Sequence, residues 1–217
     1  MSFRKPRITL AGSKALFLDC ADGAFDDAVQ RRVWGVAKAA ASIEGICEVV
    51  PGMNNLLVLF DPLAVDVPVL EQLLATLWRD AEDVQVGGAA HTIPVVYSGE
   101  DLAGWAVHCG LSVDATVELH AAATYMVAAI GAMPGFPYLS GLDPRLAWAR
   151  RSSPRLSVSE GSVIIGGAQA GLMPMTAPSG WHIIGRTEMK LFDPSVATPI
   201  LLQAGDSVRF AIAGVEP

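Results

Sequence analysis

Cysteine is scarce in this sequence of 217 residues. The three cysteines, Cys20, Cys47 and Cys109, are odd in number and widely spaced, which argues against a disulfide framework and against a zinc site built on paired cysteines. We interpret them as free thiols. A catalytic cysteine acting with His108 or His120 is the alternative.

Lysine is also rare, and none of the four lysines follows the glycine spacing of a phosphate-binding Walker loop. The sequence has no Gly-x-Ser-x-Gly elbow and no histidine pair at metal-ligand spacing, so we expect no metal site and no self-contained hydrolase of a familiar type. The longest apolar stretch, residues 121–133, is too short and interrupted to span a membrane. The N-terminus lacks a signal-peptide pattern, so we expect a cytoplasmic protein.

Basic residues number 15 against 22 acidic ones, and the formal net charge is −7. An acidic chain disfavours nucleic acid as a partner. Hydrophobic residues make up 52% of the sequence, which is enough to bury a full core. These features are typical of a globular enzyme or of one component of an enzyme.

The sequence up to residue 97 alternates between strand and helix patterns. Short apolar runs typical of strands occur at residues 15–19, 46–50, 56–60 and 91–97. Apolar residues at helical spacing follow two possible caps, Asp22 and Asp66. The resulting βαββαβ order predicts a ferredoxin-like α+β domain over residues 1–90. No polar cluster in this half indicates chemistry, so we expect it to serve docking.

The second half is punctuated by glycine. Two short helices are predicted at 101–109 and 112–122, and a strand at 124–130 follows them. Further strands, each bracketed by glycine, lie within residues 161–167, 178–187 and 205–210. Closely spaced strands of this kind predict a β-barrel domain over residues 91–217.

The stretch from residue 131 to 143 is a shaped loop, because no helical or strand period explains its prolines, glycines and aromatics. Pro134-Gly135 predicts a tight turn that presents Phe136 and Tyr138 in fixed directions. Such a turn suits the wall of a binding pocket. The alternative is a buried structural turn whose aromatic side chains only fill a core.

A cationic segment follows, with arginines at positions 145, 150, 151 and 155. Arginine binds carboxylates and phosphates with two parallel hydrogen bonds, so Arg150 and Arg155 are candidates for holding an anionic substrate or a phosphate. The alternative is a solvated charged surface. His120 ends a predicted helix, where a structural interaction with the last carbonyl groups competes with a catalytic role.

Five separated motifs occur in a fixed order: PGFPYLSGLDPRL, two arginines around SSP, GSVIIGG, PSGWHIIGRT and GDSVRF. Together they resemble the KipI family, also called the allophanate hydrolase subunit 1 family. The sequence departs from the family pattern at Ala132, at residues 173–175, at Ser179 and at His182, where a glutamine is more usual.

The resemblance implies one component of an ATP-dependent 5-oxoprolinase, inactive alone, which works with a homologous C subunit and an A subunit to open 5-oxoproline to glutamate. ATP with magnesium is then bound in the assembled complex. It also implies that the barrel is cyclophilin-like. Alternatives are a regulatory module that inhibits a histidine kinase and a component of urea or allophanate metabolism.

Candidate site residues follow from the motifs and the resemblance together. Four are assigned to catalysis: Arg150, Arg155 and Arg186 as cationic groups that offset charge near a transferred phosphoryl group, and His120 because the resemblance implies a histidine there. Five are assigned to substrate binding: Pro134, Gly135, Phe136, Tyr138 and Trp181. We expect these stretches to meet at one concavity when the barrel closes.

Overall fold

The computed structural model describes residues 4–81 and 87–216. The chain forms two compact units, the first ending at Val86 and the second beginning at Gly87. Each unit has its own hydrophobic core. Within the described residues, no helix combines the length and apolar character needed to cross a bilayer.

The first unit is a four-stranded antiparallel sheet with two helices. Its strands are β1 (Arg7–Leu10), β2 (Ala15–Asp19), β3 (Ile46–Gly52) and β4 (Asn55–Phe60), in the order β1-β2-β4-β3. Its helices are α1 (Asp27–Ala40) and α2 (Val67–Asp80). Alternate residues of β2 and β4 are buried together with residues of both helices in one core.

Both helices of this unit begin at an aspartate cap. The Asp66 side chain accepts the N–H of Val69, as predicted. The cap of α1 is Asp26 and not the predicted Asp22, because the cap must directly precede the first turn, and Asp26 accepts the N–H groups of Ala28 and Val29.

The predicted βαββαβ order does not describe this unit. The strand predicted at 91–97 is β5 (Ala90–Tyr97), and it pairs with barrel strands of the second unit. The sheet is completed instead by β1, which pairs with β2 through contacts such as Ile8↔Leu18. Apolar alternation indicates a strand but not its partner, so periodicity could not place this last strand.

The second unit adds helices and strands around a closed barrel. The helices are α3 (Leu102–Cys109), α4 (Val113–Ala122) and a short 3-10 helix (Pro144–Leu146). The strands after β5 are β6 (Tyr125–Ile130), β7 (Pro137–Ser140), β8 (Arg155–Val158), β9 (Ser162–Gly166), β10 (Gln169–Leu172), β11 (Ala177–Ser179), β12 (His182–Arg186) and β13 (Ser207–Val215).

Seven of these strands close the barrel in the order β10-β7-β6-β13-β5-β12-β9, while β8 and β11 form a separate pair. Closure depends on the parallel pairing of β13 with β5, from Ser207↔Ala90 to Val215↔Tyr97. Strand residues such as Ile93, Val127 and Ile165 are buried in the core of this unit. The predicted barrel is confirmed in this form.

Candidate functional site

The predicted Pro134-Gly135 turn is present between β6 and β7. The N–H of Phe136 donates to the carbonyl of Met133 at 3.1 Å, and Gly135 has a φ of +79°. Proline and then a residue of positive φ at the two central positions define a type II turn. The turn therefore fixes the direction in which the chain enters β7 and where Phe136 lies.

An aromatic cluster lies beside this turn. The rings of Phe136, Tyr138 and Trp181 contact one another edge to face, with centroid distances of 5.0 to 6.0 Å. Two glycines leave space for these rings. A Cβ on Gly166 would lie 2.5 Å from the Trp181 ring, and a Cβ on Gly171 would lie 3.0 Å from the Phe136 ring. Phe136 and Trp181 are buried, while Tyr138 is partly exposed.

The exposed Arg150 lies over this cluster. Its guanidinium carbon is 5.4 Å from the centroid of the Trp181 ring, within cation–π distance. No ion pair joins Arg150 to an acidic side chain in the part of the chain that the structure describes. This arginine is thus positioned by a ring and its charge is not neutralised by a neighbouring carboxylate.

The two arginines that follow are bound to one buried carboxylate. Arg155 donates to both oxygens of Asp101, at 2.8 and 3.0 Å, and Arg151 donates to Asp101 Oδ1 at 3.2 Å. Asp101 Oδ2 also accepts the backbone N–H of Ile183 in β12, at 2.8 Å. The Asp101 side chain is 9% exposed. This geometry ties residues 151–155 to the start of α3 and to β12.

Burial opposes ionisation of Asp101, but the hydrogen bonds from Arg155 and Ile183 and the charge of Arg155 lower its pKa overall. The carboxylate is therefore ionised at neutral pH. The sequence predicts Asp101 only as part of a helix. The neighbouring sequence does not distinguish a helix cap from a carboxylate that binds partners 50 and 54 residues away.

A stack of rings flanks this carboxylate. His182 lies 3.6 Å from Trp148, nearly parallel to it, and Trp148 stacks in turn on His108 at 5.0 Å. His182 Nε2 is 2.8 Å from the carbonyl of Ala149, and its Nδ1 is 3.9 Å from Asp101 Oδ2. This histidine thus holds the chain just before Arg150.

His120 lies in a different place, inside the barrel core. It is fully buried, stacks on Phe210 at 4.7 Å, and its Nδ1 is 2.8 Å from the Tyr97 hydroxyl. Burial lowers the pKa of His120 to about 3, so the ring is neutral. These surroundings favour packing over catalysis, although the contacts are aromatic rings and not the helix-terminal carbonyls we expected.

Arg186 is also separated from the aromatic cluster. It lies at the far end of β12, five residues after Trp181, which corresponds to about 16 Å along an extended strand. Its side chain is 53% exposed, lies 3.3 Å from Glu188 and 3.9 Å from Glu216, and lines a separate cavity of about 280 Å³.

The structure therefore brings together most of the predicted site residues. The rings of Phe136, Tyr138 and Trp181 contact one another, and Arg150 lies over Trp181. The Pro134-Gly135 turn directly precedes Phe136, and Arg155 is joined to the start of β12 through Asp101. His120 and Arg186 lie elsewhere. The segment that carries Arg150, Arg151 and Arg155 is called the arginine segment (residues 150–155) below.

The sequence of this chain matches a known family. Residues 6–202 match the family model described as carboxyltransferase domain, subdomain C and D. The chain belongs to this family. The resemblance inferred from the five motifs is confirmed by this match and by the relatives below.

Two curated relatives cover almost the whole chain. One is the B subunit of 5-oxoprolinase from Escherichia coli O157:H7, which is 41% identical over 211 residues, 95% of this chain and 96% of the relative. The other is the B subunit of 5-oxoprolinase from Haemophilus influenzae, which is 43% identical over 190 residues, 86% of this chain and 89% of the relative.

Solved structures show the same fold within longer chains. The crystal structure of TTHA0988 matches with a TM-score of 0.81 and 33% identity, over 94% of this chain but only 40% of that one. The urea amidolyase of K. lactis matches with a TM-score of 0.81 over 97% of this chain and 15% of its own, at 19% identity, which shows a shared fold.

Proposed function

We propose that this chain is the B subunit of an ATP-dependent 5-oxoprolinase, which opens the ring amide of 5-oxoproline to glutamate together with an A subunit and a homologous C subunit in the cytoplasm. The observation that carries this proposal is the identity of 41% over nearly the full length of the B subunit of a 5-oxoprolinase. The cyclophilin-like character of the barrel is part of the same proposal.

The aromatic cluster and Arg150 are the proposed substrate contact. The substrate carries one carboxylate and a small ring, which require one cationic hydrogen-bond donor and an apolar surface. Arg150 supplies a guanidinium that pairs with no carboxylate among the described residues, and the partly exposed Tyr138, which contacts the same Trp181, supplies a ring. Arg155, whose guanidinium donates to Asp101 and Glu100, supports this arrangement and does not contact the substrate.

The described residues show no site built for ATP with magnesium. Arg155 and Arg186 are paired with carboxylates, and within the described ranges no group of three or more histidine, cysteine, aspartate or glutamate side chains could hold a metal ion. We therefore derive no step through ATP on this chain and propose that ATP binds in the assembled complex.

Reconstitution tests the proposed function. We expect no ATP-dependent glutamate release from the purified chain, and turnover when its A and C subunits are added, because the chain shows neither a phosphate loop nor an activated nucleophile. Full activity of the isolated chain would contradict its dependence on partners. An inactive complete mixture would contradict the function and favour the kinase-inhibiting alternative.

Replacing Arg150 by Ala tests the substrate contact. In the complete complex we expect the KM for 5-oxoproline to rise by about tenfold or more, since a hydrogen bond to a charged group contributes about 1.5–3 kcal/mol. The matched control is Arg145→Ala, which removes an exposed arginine paired with Asp143. Equal steady-state constants for the two variants would refute the assignment of Arg150.

A further inference from the structure

We propose that Asp101 is a positioning residue of the site: it holds the arginine segment so that Arg150 stays over the Trp181 ring and faces the carboxylate of the substrate. This inference rests on the proposed function for its substrate. Its structural part, the anchoring of the segment, can be tested on the chain alone.

Asp101 occupies the cap position of α3 but does not act as a cap. Aspartate at this position normally accepts N–H groups of the first helical turn. Here the Asp101 side chain makes no such hydrogen bond. The caps Asp26, Asp66 and Ser112, by contrast, all accept N–H groups of their own helices. Asp101 has therefore been diverted from local helix stabilisation to partners distant in sequence.

Those partners converge from two other segments. Arg151 and Arg155 come from the arginine segment, and the N–H of Ile183 comes from β12, immediately after Trp181 and His182. One ionised carboxylate thus binds two guanidinium groups and fixes them against the strand that directly follows Trp181. The Asp101 side chain is 9% exposed, so water competes little for these hydrogen bonds.

Asp101 positions Arg150 through Arg151, the next residue in the chain. The backbone N–H of Arg151 donates to the carbonyl of Gly180 at 2.8 Å, and the Arg151 side chain donates to Asp101. On the other side, His182 Nε2 contacts the carbonyl of Ala149. Arg150 is therefore held from both sides while its own guanidinium stays exposed and unneutralised, which is the arrangement that capture of an anion requires.

Limited trypsin digestion of the full chain tests the anchoring. Asp101→Asn keeps the shape but replaces one acceptor by a donor and removes the charge that both arginines bind. We expect trypsin to cleave the variant after Arg150, Arg151 and Arg155 about tenfold or more faster than it cleaves the unmodified chain. Mass spectrometry measures the cleavage at each site. Glu100→Gln is the matched control, since Glu100 also contacts Arg155 but is 72% exposed. Equal cleavage of both variants would overturn the anchoring.

Kinetics of the complete complex test the positioning role. We expect Asp101→Asn to raise the KM for 5-oxoproline by about tenfold, with kcat and the KM for ATP little changed. In an Arg150→Ala background the same substitution should have almost no further effect, because Asp101 acts through Arg150. Multiplicative effects of the two substitutions, or an equal rise in both KM values, would overturn the proposal.

The two readouts separate this proposal from the proposed function. A wild-type complex that fails to convert 5-oxoproline contradicts the function, while the trypsin result still decides whether Asp101 anchors the arginine segment. A wild-type complex that turns over normally, combined with unchanged KM in Asp101→Asn, contradicts only the positioning role.

Discussion

His120 and Asp101 show how differently burial affects two ionisable side chains. Asp101 is surrounded by positive charge and donors, so it remains ionised despite its burial. His120 is surrounded by the rings of Tyr97, Trp105 and Phe210, so it remains neutral. The first environment organises a surface segment, and the second fills the core of the barrel.

The buried His120 predicts a pH dependence of stability. Its pKa is about 3 when folded and about 6.5 when unfolded, so the unfolded chain binds more protons between these values. We expect the neutral His120 to make its full contribution to the free energy of unfolding above pH 6.5. As the pH falls from there toward 3, the free energy of unfolding should decrease by about 1.4 kcal/mol per pH unit. Urea unfolding at several pH values measures this slope.

His120→Asn is the control for that slope. The variant is less stable at every pH because it loses ring contacts, but it cannot be protonated in this range. Its free energy of unfolding should therefore fall less steeply between pH 6.5 and 4 than that of the unmodified chain. Identical slopes would show that His120 is not the group responsible.

Sequence reasoning found the individual residues whose type is unusual in context. The Pro134-Gly135 turn follows from local backbone preferences, and Arg150 and Trp181 were marked by charge and by a glycine-rich motif. Asp101 was missed as a site residue because its role depends on arginines that only the fold brings near it. Long-range partners of this kind leave no local pattern.

Strands β9 and β10 make space for the aromatic cluster because each has a glycine, without a side chain, next to it. Gly166 ends β9 and Gly171 lies in β10, and the rings of Trp181 and Phe136 occupy the space that side chains would fill. The glycines at 161 and 166–167 predicted the limits of β9 but not this packing, and β10 was not predicted. A glycine in a strand has no Cβ and therefore allows a neighbouring group to approach the backbone closely. Here the neighbouring groups are the rings of Trp181 and Phe136.

Gly166→Ala tests this packing. The new Cβ would lie 2.5 Å from the Trp181 ring, so the ring must shift. We expect a loss of about 1–3 kcal/mol in the free energy of unfolding and a rise in the KM for 5-oxoproline, since Arg150 follows the ring. Chemical denaturation and steady-state kinetics provide the two measurements.

Gly131→Ala is the matched substitution in the same cluster. Its Cβ would lie 3.7 Å from the Tyr138 ring, an ordinary contact, and stability should change by no more than about 0.5 kcal/mol. Similar destabilisation by both alanines would contradict the view that Gly166 is required for close packing against Trp181.

The whole chain consists of two units that each have a core of their own. Hydrophobic periodicity predicted most helices and strands, because each buries one face. It misplaced β5, since an apolar run pairs equally well in either sheet until the other strands are known. The barrel was inferred from the density of glycine-bracketed strands, but its strand order could not be derived from sequence alone.

We propose that the two units are separable domains. A fragment of residues 87–217 should unfold cooperatively by itself, because its core draws only on residues of that unit. A fragment that starts as late as residue 98 lacks β5 and is the comparison, since the barrel then loses the strand between β13 and β12. Thermal unfolding followed by circular dichroism measures both fragments.

A fragment of residues 87–217 that shows no cooperative transition would contradict the division into domains. Equal stability of the shorter fragment would instead show that β5 is dispensable for the barrel. The pairing of β5 with β13 along its whole length argues for a large difference between the two fragments.

The seam between β5 and β13 also bears on how the chain folds during synthesis. Asp206 Oδ1 accepts the N–H of Ala89, 117 residues earlier, and Asp206 Oδ2 lies 3.0 Å from His91 Nε2. During translation, β5 therefore leaves the ribosome long before β13 has been synthesised. Until then the apolar side of β5 has no partner strand. Contacts so distant in sequence slow folding. We expect the barrel to close only after translation has passed β13, and the nascent chain to depend on chaperones until then.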